Sequence, residues 1–210
     1  MTFAGFAEQD FKALTVPGLQ PRMEAISNHI RPKLEGLGAE IAPYLSALCG
    51  EDMYPHVAKH ARRTVNPPRD TWVAWSTSKR GYKALPHFEV GLFPSHLFII
   101  FAVIYESPNK AIFARYLDKQ AAAINKMIPA DFYWSLSHRD PTGVPHHQVD
   151  VKQLKAWAEQ LATVKKAEAI CGLRLEHDDA LVRDGARLVQ TVEQTFENLL
   201  PLYRNAFYTR

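Results

Sequence analysis

The chain has 210 residues, of which 47% are hydrophobic and 22% are charged, and its formal net charge is +3. This composition excludes a disordered chain, and the length suits one globular domain whose core needs no disulfide or metal. The two cysteines form no CxxC pair, and the first ten residues lack the basic and apolar regions of a signal peptide. The longest apolar run, residues 97–105, is far shorter than the roughly 20 residues of a membrane span. We therefore predict a single cytoplasmic domain over residues 1–210, with no membrane partner.

The first predicted element is a helix in the amino-terminal quarter. Apolar residues recur every three or four positions over residues 23–41, which is typical of one buried helix face. Pro32 and the Gly36/Gly38 pair predict a kink or break, followed by a second short helix that ends at Gly50.

Strands follow, because the apolar period changes from about 3.6 to two near Thr71. The pattern predicts strands at 71–76, 87–93 and 96–105, and Pro94-Ser95 is typical of a tight turn between the last two. We expect these last two strands to form an antiparallel hairpin in which Phe88, Val90 and Leu92 are buried.

The second half of the chain continues with alternating helices and strands. The predicted elements are a helix over 108–127 that Ser107 caps, a strand over 132–138, a loop over 139–149, a helix that begins after Asp150, a strand near 168–175 and a helix over 178–205. The order of elements predicts an α+β fold with a mainly antiparallel sheet and helices packed on one face, formed by 21–36, 108–127 and 178–205.

Known motifs for cofactors and metals do not fit this sequence. Gly36-Leu37-Gly38 begins like a dinucleotide fingerprint, but it follows a helix and has Ile41 where the third glycine belongs. The histidine pairs His56/His60 and His146/His147 lack a carboxylate or thiolate placed to complete a metal site. We predict neither a metal nor a cofactor.

A basic stretch in the first half of the chain is the clearest candidate for a binding site. Residues 56–83 have a formal charge of +6, so the rest of the chain has a formal charge of −3. Segregated positive charge attracts phosphates and polyanions, although such runs are often solvated surface instead. The predicted ligand-binding residues are Lys59, His60, Arg62, Arg63, Lys79, Arg80 and Lys83.

Two polar residues follow this stretch on the predicted 87–93 strand. His87 and Glu89 alternate with the apolar residues, so they share the opposite strand face and are candidates for acid/base chemistry if that face borders a cleft. If a helix covers the face instead, the two side chains satisfy each other or the backbone in the core. Trp72, Trp75 and Tyr82 are possible stacking partners for bases, with core packing the alternative for both tryptophans.

Several segments resemble one known family. The blocks PHVAKHARRTVNPP, SKRGYKALPHFEVGL, IYESP and TVKKAEAICG, together with VPGLQPRMEAI and RPKLEGLG, resemble the YktB-like family of uncharacterised bacterial proteins, also called domain of unknown function 1054. The resemblance covers nearly the whole chain. It implies an α+β domain with the topology of biotin and lipoate ligase and class II synthetase cores, and it implies no catalytic residue.

Three functions remain open from the sequence. The favoured hypothesis is binding of a phosphate-bearing ligand, either a nucleotide or single-stranded nucleic acid, at a basic site within residues 56–89. The alternatives are a ligase- or transferase-like enzyme that acts on a nucleotide or acyl ligand, and an interaction protein without a small-molecule site.

Overall fold

The computed structural model describes residues 3–207. Two compact units contain these residues. The first unit consists of the described residues up to Trp75 with Glu89–Ile99 and Arg174–Gln194. The second consists of Ser76–Phe88, Ile100–Leu173 and the described residues from Thr195 onward. The assignment of the chain to a single domain stays a prediction.

The helices and strands alternate along the chain in the manner of an α+β protein. The α-helices are α1 (Glu8–Ala13), α2 (Leu19–Ala25), α3 (Arg31–Cys49), α4 (Lys110–Lys119), α5 (Ala121–Met127), α6 (Val151–Thr163), α7 (Ala180–Arg183) and α8 (Gly185–Asn205). The strands are β1 (Tyr54–Val57), β2 (Thr71–Ser76), β3 (His87–Leu92), β4 (His96–Val103), β5 (Tyr133–Ser135), β6 (Val144–Pro145) and β7 (Ala169–Glu176).

The described strands form one antiparallel sheet in the order β1-β2-β3-β4-β7-β5-β6. β3 and β4 are neighbours, and the turn between them is closed by the amide of Phe93, which donates to the carbonyl of His96 at 2.9 Å. The α+β class and the predicted hairpin are therefore confirmed. The likeness to ligase and synthetase cores stays a prediction.

The two hairpin strands are more deeply buried than a strand with one wet face. All six residues of β3 and all eight of β4 are buried. Because side chains alternate between the two faces of a strand, both faces of β3 and β4 are covered. Phe88, Val90 and Leu92 lie in the core as predicted, where the Phe88 ring stacks on Tyr203.

The predicted break in the first long helix is wrong. α2 continues into α3 through a π-helical turn at Ile26–Ile30, and α3 runs through both glycines to Cys49, where Gly50 adopts a left-handed φ of 80°. Pro32 lacks an amide hydrogen and its ring crowds the preceding turn, so a widened turn ahead of it accommodates the proline without ending the helix. The predicted end at Gly50 is confirmed.

The structure corrects two other predicted elements and confirms the start of a third. The predicted 108–127 helix divides into α4 and α5 at Gln120, and Ser107, three residues before α4 begins, accepts at its Oγ from the amide of Asn109. The predicted 132–138 strand is limited to β5. The helix after Asp150 begins as predicted, since the Asp150 carboxylate accepts from the amide of Gln153 at 2.7 Å.

No helix in the described part of the chain is both long and apolar enough to cross a membrane.

Candidate functional site

The predicted basic residues lie in both compact units. Lys59, His60, Arg62 and Arg63 belong to the first unit, whereas Lys79, Arg80 and Lys83 belong to the second. Their convergence on one site stays a prediction, and the geometry below concerns each unit separately.

The first unit contains a pocket between α3 and the β1 segment. One wall carries Arg31, Glu35 and Ala39, which follow each other at intervals of four residues and therefore share a helix face. The other wall carries Pro55, Val57 and Lys59, whose spacing of two puts them on one face of the extended chain. These six residues define the α3–β1 pocket, and its volume is about 330 Å³.

The two walls run in opposite directions, so the pocket has a basic end and an apolar end. At the apolar end, α3 approaches β1 closely, because a Cβ built on Gly38 would lie 3.1 Å from the Cβ of Pro55. At the basic end, the positive charge of Arg31 acts on His60, which directly follows Lys59. Arg31 and Lys59 therefore lie at one end of the pocket, and Ala39 and Pro55 lie at the other.

Arg31 is the most unusual side chain in the pocket. Its Nε atom is buried and has no hydrogen-bond partner among the described residues. Glu35 is four residues further along the same helix, at a spacing that permits an ion pair, but within residues 3–207 neither side chain makes one. Buried donors are nearly always satisfied, so the unpartnered Nε marks a place where a ligand oxygen would lower the free energy.

His60, which directly follows Lys59, has a strained backbone conformation. Its φ of 51° is left-handed, which is uncommon for a residue other than glycine. Nε2 lies 3.2 Å from Thr71 Oγ1, and the ring meets Trp72 edge-on with centroids 5.5 Å apart. Burial, together with the smaller effect of the nearby charges of Arg63 and Arg31, lowers the pKa of His60 from 6.5 to about 4. The part of this shift that comes from Arg63 and Arg31 reflects a positive local potential at the ring.

The two other predicted cations of the first unit lie on the loop that follows His60. Arg62 and Arg63 are exposed, and Arg63 Nη1 donates to the carbonyl of Asn66 at 3.3 Å. The loop is anchored by Arg22, whose Nη1 donates to the carbonyl of Pro68 at 2.9 Å. Neither Arg62 nor Arg63 lines the α3–β1 pocket, so they contribute to its electrostatic field rather than to its walls.

The cations of the second unit lie at the surface of the segment between β2 and β3. Lys79, Arg80 and Lys83 are exposed. Lys83 Nζ lies 3.6 Å from a carboxylate oxygen of Glu106, and the Arg80 amide donates to Ser78 Oγ at 3.2 Å. An exposed ion pair of this length stabilises a fold little, so Lys83 could exchange Glu106 for an anionic ligand.

The acid/base candidates on β3 are buried. His87 is 0% exposed, its Nδ1 lies 2.7 Å from the carbonyl oxygen of Leu85, and its ring meets Tyr82 with centroids 4.8 Å apart. Glu89 is 7% exposed. The interpretation in which the two side chains line an open strand face is contradicted by this burial, because β3 is covered on both faces. A catalytic role for either residue stays untested.

Trp75 is a core residue, as the alternative interpretation held. It is fully buried, and its Nε1 donates to the carbonyl of Gly38 at 3.0 Å. Trp72 lies between two buried residues, Thr71 and Val73, but is itself only half-buried. Its ring meets the His60 ring edge-on.

The chain is similar in sequence to a family of bacterial proteins. A sequence family described as Domain of unknown function (DUF1054) matches residues 6–203. UPF0637 proteins are similar to the chain: 49% identical over 203 residues in Bacillus velezensis, 46% over 204 residues in Bacillus licheniformis and 47% over 203 residues in Bacillus cytotoxicus. Each alignment covers 97% of this chain and 97% or 98% of the relative.

Proposed function

Since this chain belongs to the family of DUF1054 domains and UPF0637 proteins, whose name assigns no activity, we propose from the α3–β1 pocket that it binds a small phosphate-bearing molecule. The observation that carries the proposal is the buried Nε of Arg31, which has no partner among the described residues and belongs to a side chain that lines a pocket of about 330 Å³. A phosphate oxygen at this position would accept from the guanidinium in the geometry that arginine commonly uses for phosphate.

The charges around the pocket support the same ligand. Lys59 lines the basic end with Arg31, and the exposed guanidinium of Arg63 acts on neighbouring His60. Three cations against the single carboxylate of Glu35 create a positive field that favours an anion and accelerates its association. Such a field is attractive to phosphate at any pH at which the lysine and arginines remain charged.

The shape of the pocket favours a small molecule over a nucleic-acid strand. Its volume lies at the lower end of the range of small-molecule sites, about 300–1,000 Å³. Single-stranded nucleic acid is instead bound in an open basic groove where successive bases stack on exposed aromatic rings. Trp75 is buried in the core, so it is not available for such stacking.

The test is the substitution Arg31→Met, with calorimetric titration of inorganic phosphate and measurement of the free energy of unfolding. Removal of charged hydrogen bonds to the anion should weaken phosphate binding roughly tenfold to a hundredfold. The same substitution should leave the protein at least as stable, because it removes a buried donor that has no partner among the described residues. A purely structural arginine would show the opposite pair of effects.

Arg115→Met is the matched control, because Arg115 is an exposed arginine on α4 that does not line this pocket. It removes the same charge and should leave phosphate binding unchanged. Equal loss in both variants would reduce the effect to net charge, and absence of phosphate binding by the wild-type protein would overturn the proposal.

A salt titration separates the small ligand from the nucleic-acid alternative. A strand held through about four phosphates should lose roughly a hundredfold in affinity between 50 and 200 mM salt. We expect instead that a short fluorescent RNA binds weakly under all these conditions. Tight RNA binding with the steep salt dependence would favour nucleic acid as the ligand.

A further inference from the structure

The α3–β1 pocket is chemically ordered along its length, and this order restricts the ligand. From Arg31 to Glu35 and from Glu35 to Ala39 the helix advances one turn, or about 6 Å each time. The pocket therefore presents a cationic end, a carboxylate about 6 Å further along, and an apolar end formed by Ala39 and Pro55 about 6 Å beyond that.

Each segment of the pocket selects a chemical group. The pair of cations selects a phosphate, as proposed above. Glu35 is exposed and makes no hydrogen bond or ion pair with any described residue, so its two carboxylate oxygens are available to accept from neighbouring hydroxyl groups. A carboxylate is a common partner for the hydroxyls of a ribose. The apolar end suits the face of a flat ring.

We infer that the ligand is a nucleoside monophosphate. Its phosphate lies between Arg31 and Lys59, its ribose hydroxyls donate to Glu35, and its base packs on Ala39 and Pro55. The inference rests on the proposed function, since it identifies the substance bound at the same pocket.

The position of Glu35 also explains why one phosphate is favoured over three. If the terminal phosphate of a nucleoside triphosphate occupied the cationic end, the inner phosphates would lie beside the Glu35 carboxylate. Like charges at this separation repel. The same carboxylate therefore attracts the ribose and excludes a phosphate chain.

The experiment is calorimetric titration of the wild-type protein with inorganic phosphate, ribose 5-phosphate, AMP and ATP. We expect affinity to rise from phosphate to ribose 5-phosphate to AMP, and ATP to bind less tightly than AMP. The variant Glu35→Gln should bind AMP and ribose 5-phosphate about tenfold more weakly, because a hydrogen bond to a charged acceptor is lost. It should bind inorganic phosphate at least as well as the wild type and bind ATP more tightly.

A ligand that lacks the hydroxyls provides the matched chemical control. Dideoxy-AMP, without the 2′ and 3′ hydroxyls, should bind the wild type about as weakly as AMP binds Glu35→Gln, and the two losses should not add. Glu159→Gln removes an exposed carboxylate from α6 and should change none of these affinities.

The outcomes distinguish failure of this inference from failure of the proposed function. If AMP binds no more tightly than phosphate, or if Glu35→Gln leaves AMP binding unchanged, the nucleoside monophosphate is excluded. Phosphate binding that still depends on Arg31 would then leave the proposed function intact. If none of the four compounds binds, the proposed function fails as well.

Discussion

Acid should destabilise this protein through His60, and the size of the effect follows from the pKa of the side chain. Burial and the charges of Arg63 and Arg31 lower that pKa from 6.5 to about 4 in the folded protein. The folded state therefore prefers the neutral ring. The contribution of the neutral His60 ring to the free energy of unfolding is fully present above pH 6.5 and is lost as the pH falls toward 4. For a shift of this size, the loss between pH 7.5 and pH 5 is about 2 kcal/mol.

The variant His60→Asn isolates this effect. Asparagine adopts the left-handed conformation more readily than most residues, can still hydrogen-bond Thr71, and does not titrate. Urea unfolding of both proteins at several pH values from 7.5 to 5 gives the difference between their free energies of unfolding. Contributions of other acids and bases, such as His96, cancel in that difference. We expect the difference between the two free energies of unfolding to change by about 2 kcal/mol in favour of the variant as the pH falls.

Two further measurements check the cause. Arg63→Gln removes one of the charges that lower the pKa of His60, so the acid-dependent loss should become smaller. Sulfate, whose charge is constant over this pH range, should bind more tightly at pH 5 than at pH 7, because the anion favours the protonated ring. Free energies of the wild type and His60→Asn that change in parallel with pH would refute the reasoning.

Two pairs of substitutions near the amino terminus make further predictions about stability. Gly36→Ala should raise the free energy of unfolding by about 0.5–1 kcal/mol, since nothing lies within 4 Å of the new methyl group, whereas Gly38→Ala should give no such gain, because its methyl group would crowd Pro55 at 3.1 Å. Equal gains in urea unfolding would contradict this. Lys33→Met should cost about 3 kcal/mol because it leaves the buried carboxylate of Asp10 without the ammonium group 2.5 Å away, whereas Lys12→Met, at a solvent-exposed ion pair, should leave the melting temperature nearly unchanged. Similar melting temperatures for the two lysine variants would show that the Asp10 pair is not needed.

The family and the centre of the sheet were predictable from the sequence because both depend on strong local signals. β2 has the predicted bounds, and β3 and β4 end within two residues of the predicted positions. An alternating segment before Pro94-Ser95 and a continuous apolar run after it specify two strands joined by a tight turn, whatever the rest of the chain does. The resemblance to an uncharacterised bacterial family is likewise confirmed by the match over residues 6–203.

Elements that depend on a distant partner were missed. β1 has the sequence YPHV, with a proline and a polar residue in four positions, so it carries no strand signal of its own. It is a strand because it lies beside β2, where the Ala58 amide still donates to the carbonyl of Trp72. The role of Gly38 also depends on a distant partner. Its lack of a side chain lets α3 approach Pro55, which the sequence around Gly38 does not indicate.

In the candidate site, too, some residues could be predicted from the sequence and others only from the fold. Lys59 and His60 were predicted because they belong to a visible run of cations. Arg31 and Glu35 were not, because the helix that carries them was interpreted from its apolar face alone, and their importance arises from the strand packed against the other side. The spacing of four between Arg31, Glu35 and Ala39 is a signal only once β1 is known to lie opposite. A basic run in a sequence thus indicates that a positive field exists, whereas the residue that fixes a ligand within it is identified by an unmet hydrogen bond, which only the fold reveals.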